Sequence, residues 1–160
     1  MWPSDTLPTV NESQVLLSGY SLGGNIALHA AALDRRVTAV FAIAAFTPLR
    51  TDTADRGTGG LKRLSHLHAL VPKLGLFLGS ESAVPYDYDD LLRAIAPRPT
   101  LLVTPARDRD ATLSDVVACI NSSRPAWPEA GKLVHLTPDD YSRLSINITA
   151  STVNWASSLF

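Results

Sequence analysis

Apolar positions along this chain come in short blocks whose spacing alternates between two kinds. Residues 15–18 (Val15-Leu16-Leu17-Ser18) form a brief apolar run that predicts a buried strand, and residues 21–33, rich in Ala and Leu, predict a helix. Residues 37–46 are apolar almost throughout, as expected of a parallel strand covered on both faces. Residues 48–60 turn polar, with Gly57, Gly59 and Gly60, and predict a long loop. Helical spacing returns over residues 61–70 and again over 88–96, where Pro97 and Pro99 bring it to a stop. A third strand is predicted over 100–104, a helix over 113–121 and a fourth strand over 132–137. A last helix runs through Ile146, Ala150 and Val153 to residues 157–160, with Trp155 on its flank. Strands alternating with helices imply parallel pairing, so the expected class is α/β: a parallel sheet of about four strands with flanking helices, in one domain over residues 1–160.

Composition narrows the partners. With 14 Lys and Arg against 15 Asp and Glu, the net charge of -1 provides no field that would recruit nucleic acid or an anionic membrane surface. A small molecule is the expected partner. The single cysteine, Cys119, excludes an internal disulfide, and Met1-Trp2-Pro3-Ser4-Asp5 has neither a basic start nor a long apolar run, so the expected compartment is cytoplasmic. No run reaches the ~20 apolar residues that a membrane helix needs. No cofactor or metal is expected. The glycines from Gly19 to Gly24 fit neither a dinucleotide fingerprint nor a P-loop, and His66 and His68 lack a third ligand. Asp87, Asp89 and Asp90 read as a solvated helix start.

The chemistry-bearing stretch is Gly19-Tyr20-Ser21-Leu22-Gly23-Gly24-Asn25, in which Ser21 sits in GxSxG spacing between the first strand and the Ala-rich helix. A serine hydroxyl is a poor nucleophile unless a sharp turn presents it to a base and to the substrate together. Small residues at Gly19 and Gly23 are expected to leave room for that turn. The amide of Leu22, at the start of the helix, is a candidate oxyanion donor.

On GYSLGGNIALHAAAL, AIAPRPTLLVTPARDRDA and the closing helix with Trp155, the chain resembles the α/β-hydrolase family. The likeness is to its acetyl-xylan-esterase-like and dienelactone-hydrolase-like branch, related to prolyl oligopeptidase catalytic domains. The resemblance covers the C-terminal half of that fold and implies a chain truncated on its N-terminal side. It implies a serine esterase acting on small acyl esters through an acyl-enzyme, with Ser21 as nucleophile and Asp108 as the acid that orients the base; Asp110 and Asp52 are weaker substitutes. The base belongs in the loop after the last strand, where Thr137-Pro138-Asp139-Asp140-Tyr141-Ser142-Arg143 contains no histidine. His135, inside the last strand, is the candidate in the right chain order, and a packed structural histidine is its other reading. The family's second oxyanion donor lies in a segment before the nucleophile strand. Loss of one such donor costs roughly 10²–10³ in rate, which leaves a catalytically inactive α/β remnant or interaction module as the alternative. In that reading the 15–18 strand becomes an open apolar edge, suited to self-association or to a partner strand.

Overall fold

The structure is a computed structural model that describes residues 11, 13–57, 59–67 and 71–159. Four parallel strands, β1 (Leu16–Tyr20), β2 (Ala39–Ile43), β3 (Thr100–Val103) and β4 (Leu133–Leu136), lie in the order β1-β2-β3-β4. Register places Ser18 beside Phe41, Phe41 beside Leu101 and Leu101 beside Val134. Among the described residues β1 is an outer strand, and Ser18 at its centre is exposed.

Alternation along the strands divides the core in two. Val40, Ala42, Leu102 and Leu133 pack against three helices on one face: α1 (Leu22–Leu33), α2 (Tyr88–Ile95) and α3 (Leu113–Ser123). Ile43, Leu101 and Val103 point the other way, against Ile148 and Trp155 of α4 (Ile146–Ser157), and Trp155 meets Phe41 edge to face. The two sides are chemically unlike. α1 buries Ala27, Leu28 and Ala31, small and branched residues that let a helix sit close to the sheet, whereas α4 leaves Ile146 and Val153 exposed.

Polar groups set the helix ends. Asp87 is buried, not solvated as its sequence context suggests, because its carboxylate accepts from the amides of Leu49, Arg50 and Tyr88 while Asp90 accepts from its own amide. This reciprocal cap starts α2 and pins the loop after β2 to it. Arg98, just before β3, donates to the carbonyls of Ala31, Asp34, Val37, Ala94 and Ile95, closing the C-terminal ends of α1 and α2 with one guanidinium.

Two predicted elements come out differently. The second strand ends at Ile43, where Ala44 takes a positive φ of 47° while its amide still donates to the Val103 carbonyl at 2.8 Å. The helical spacing from residue 61 yields one helical turn that passes into a π turn, Arg63–Leu67, followed by the short 3₁₀ turn Pro72–Phe77; residues 68–70 lie outside the described residues.

Candidate active site

β1 ends in Tyr20, and the next residue, Ser21, has φ 51° and ψ −120°, a conformation that L-residues hold only under constraint, at a cost of order 1–3 kcal/mol. The constraint is visible on both sides of it. The Ser21 amide donates to the Ile43 carbonyl at 2.8 Å, tying the turn to β2, and its carbonyl accepts from the Asn25 amide at 3.0 Å, which begins α1. The side chain does not cap the helix, and Ser21 is exposed at the carboxyl end of the sheet.

Close approach is enforced at Gly19 and Gly24, not at Gly23. A Cβ on Gly19 would lie 2.2 Å from the Gly23 carbonyl carbon, and one on Gly24 would lie 2.8 Å from the Ala45 Cβ and 2.9 Å from the Gly19 oxygen. A Cβ on Gly23 would meet nothing within 4 Å. The reason is helical geometry: Gly24 faces back onto the strand, while Gly23 faces solvent.

A small cavity of about 50 Å³ opens beside the serine, lined by Ser21, Leu22, Asn25, Thr47, Asp108 and Ser142 among others. The structure thus brings Ser21, Leu22 and Asp108 together. Asp108 follows β3, and its Oδ1 accepts the Asp110 amide at 2.9 Å; burial, the largest influence, raises its pKa above the ordinary carboxylate value, opposed in part by that amide and by a hydrogen bond from Ser142. Leu22 opens α1, so its amide belongs to the turn whose N–H groups have no partner within the helix.

His135 does not line this cavity. Its Nε2 lies 3.0 Å from the Thr104 hydroxyl, and burial together with the positive charge of Arg124 lowers its pKa. His29 is engaged with the Asn25 carbonyl at 2.9 Å and the Tyr86 hydroxyl at 3.3 Å, and His66 with Ser65 at 2.9 Å. His68 lies outside the described residues. Cys119 is no substitute nucleophile, because burial and the charge of Asp87 push its thiol up to about 12. Of the weaker acids, Asp110 lines the cavity but pairs with Arg63, and buried Asp52 accepts the Lys62 amide at 3.2 Å.

Three contributors to the site are not singled out by sequence reasoning. Tyr20 donates its hydroxyl to the Ser142 carbonyl at 2.7 Å, which holds the loop after β4 against the elbow. Thr47, 1% exposed, lines the cavity with a hydroxyl that has no hydrogen-bond partner among the described residues. Asn25 is buried between the Ala45 carbonyl and the Tyr88 hydroxyl. Tyr20 and Asn25 lie within the Gly19–Asn25 stretch, but nothing in the sequence marks the contacts they make, and Thr47 carries no signal at all.

Two loops meet to frame these groups. The Ala106 and Arg107 amides donate to the Pro138 and Asp140 carbonyls, each at 2.9 Å, and the Arg107 guanidinium grips Asp139 through two contacts of 2.7 Å. Among the described residues no cluster of three His, Cys, Asp or Glu side chains is placed to hold a metal. No helix there is long and apolar enough to cross a membrane.

No protein-family model matches the chain. A polyketide transferase, grgF of Penicillium sp, is 28% identical over 150 residues, covering 70% of this chain and 51% of that protein. Among solved structures, a CE15 glucuronoyl esterase from Teredinibacter turnerae T7901 superposes with a TM-score of 0.78 at 18% identity, over 98% of this chain and 43% of its own. The α/β hydrolase GrgF from Penicillium sp. sh18 superposes with a TM-score of 0.60 at 20% identity, over 96% and 66% respectively. The chain therefore has the α/β-hydrolase fold, and it spans about half the length of the curated relative it matches.

Proposed function

We propose that this chain carries the nucleophile side of a serine ester hydrolase, acting on small acyl esters through an acyl-enzyme at Ser21. The observation that carries this reading is the strained Ser21 turn opening onto a cavity shared with Asp108 and the first turn of α1. Ser21 Oγ attacks the ester carbonyl, the C–O bond to the alcohol breaks, and the alcohol leaves with the proton given up by the serine. The Leu22 amide, at the positive end of α1, donates to the developing oxyanion. The unpartnered Thr47 hydroxyl supports a polar ligand in the same cavity, since a buried hydroxyl left without a partner costs ~1–3 kcal/mol. The esterases among the structural relatives support an ester in place of an amide, and acetylated sugars belong to the substrate class of this reading.

The test is rapid mixing with p-nitrophenyl acetate, followed by peptide mapping. A stoichiometric burst of p-nitrophenolate with the acetyl group on the peptide containing Ser21, both absent in Ser21→Ala, is the expected result. Acetylation confined to lysines, or a burst unchanged by Ser21→Ala, would overturn the reading.

A further inference from the structure

The outer edge of β1 offers a row of backbone groups to another strand. β1 meets β2 through alternate residues: the Val15 carbonyl accepts the Thr38 amide at 2.8 Å, and the Ser21 amide donates to the Ile43 carbonyl at 2.8 Å. Alternation assigns Leu17 and Gly19 to that same side. The N–H and C=O groups of Leu16, Ser18 and Tyr20 therefore point outward, where β1 has no neighbouring strand among the described residues. Edge strands are commonly blunted by charge or proline, yet residues 13–33 contain no Asp, Glu, Lys, Arg or Pro. Beside this edge α1 carries an outward stripe at helical spacing, Gly23, Ile26, Ala30 and Leu33, with Ile26 50% and Leu33 85% exposed. Asn25 and His29 reach the hydroxyls of Tyr88 and Tyr86 on the α2 side; Ile26 and Ala30, each a step of about 100° further round the helix, lean away from α2 and over the free edge.

We propose that this edge pairs with a second copy of the chain about a twofold axis at Ser18, joining the two four-stranded sheets into one. The three outward residues are symmetric about Ser18. Antiparallel pairing then sets Ser18 against its own counterpart and Leu16 against Tyr20 of the other copy, each outward donor meeting an outward acceptor. The helices fall into place with the strands. Gly24 stands level with Gly19, since a Cβ on Gly24 would lie 2.9 Å from the Gly19 oxygen. One residue back along β1 is about 3.3 Å, or about two residues on along α1, so Ile26 is level with Ser18 and meets its counterpart across the axis. With α1 lying over the β1–β2 pair and strands about 4.8 Å apart, the two copies of α1 stand about 10 Å apart, a distance at which helices pack. The absence of charge favours a like copy: nothing on the patch is repelled by its own image, and nothing on it selects a charged partner. Because the same patch serves both copies, association stops at two. The pairing does not depend on the chemistry at Ser21.

Sedimentation velocity of the full 160-residue chain over a micromolar concentration series reads the association, and the expected species has twice the mass of the chain. Ile26→Lys sets like charges face to face at the axis, and Ser18→Pro removes an outward N–H that the ladder to β2 does not use; each should raise the dissociation constant by at least about 10-fold. Ile146→Lys, at an 87% exposed position on α4, should leave it unchanged. If Ser18→Pro fails to fold, judged by circular dichroism, Ile26→Lys and hydrogen exchange of the unmodified chain decide, with the amides of Leu16, Ser18 and Tyr20 expected to exchange more slowly as concentration rises. A chain that stays monomeric throughout, leaving the edge to a different protein, would overturn the proposal. So would a dimer that Ile26→Lys does not weaken, one that Ile146→Lys dissolves, or association that continues past two copies.

Discussion

Adjacent glycines in the elbow should respond to the same substitution with opposite signs. Gly23→Ala places a methyl group in open space on an exposed helical position, so only the intrinsic preference for Ala acts, worth up to ~1 kcal/mol and less within the first turn. Gly24→Ala receives the same benefit but drives its Cβ to 2.8 Å from the Ala45 Cβ and 2.9 Å from the Gly19 carbonyl oxygen. Both neighbours are short, and one is backbone, so α1 must lift off the strand. Overpacking of this kind costs typically 1–3 kcal/mol, leaving a net loss of about 1–2 kcal/mol. For a domain of this size each kcal/mol moves Tm by roughly 2–4 °C, so the two variants should melt on either side of the parent. Gly19→Ala, with a Cβ 2.2 Å from the Gly23 carbonyl carbon, sets the extreme and should lose more than about 3 kcal/mol. Thermal unfolding followed by circular dichroism at neutral pH reads all three. If Gly23→Ala were the most damaging of the set, the packing argument for the elbow would be wrong.

Two further substitutions probe the supports of the site. Arg98→Met removes five donors from the carbonyl ends of α1 and α2 and should cost about 2–4 kcal/mol in urea unfolding, since charge-assisted bonds are non-additive and water replaces some of them; Arg98→Lys, lacking the planar fork, should recover only part. A loss below ~0.5 kcal/mol for Arg98→Met would contradict this. His135 has its pKa lowered, chiefly by burial, so the unfolded chain binds its proton first as pH falls. Its contribution is therefore intact above the ordinary value of about 6.5 and is lost as pH falls from there through the lower folded value. His135→Gln should flatten that segment of the stability profile, and an unchanged profile would show that His135 titrates freely.

The order of elements was legible because apolar period and turn residues agree along most of the chain. β3 is fully buried and reads as an apolar run, and α2 carries its own cap in Asp87 and Asp90. The elbow was legible through Ser21, yet the motif spacing points to Gly23 while packing demands Gly24, a distinction made by which helical face meets Ala45. Asp87 reads as one of three solvated acids, and only the return of the loop at Leu49 and Arg50 shows why it is buried. The site was half legible. Asp108 has a register fixed by the strand before it, but the juxtaposition of Ser142 with Tyr20 spans 122 positions in the chain, and a serine in a polar loop carries no local mark of it. The segment around the π turn misled for a related reason: its helical spacing is real, but its path is set by Gly60 against Thr47 and Asp52.

Covalent labelling with a fluorophosphonate, read by intact mass and mapped by peptide digestion, tests most directly whether the strained turn still presents a reactive serine. On the folded 160-residue chain the label should fall on Ser21 and be lost in Ser21→Ala. A folded chain that stays unlabelled, or that carries its label on another residue, would contradict the account.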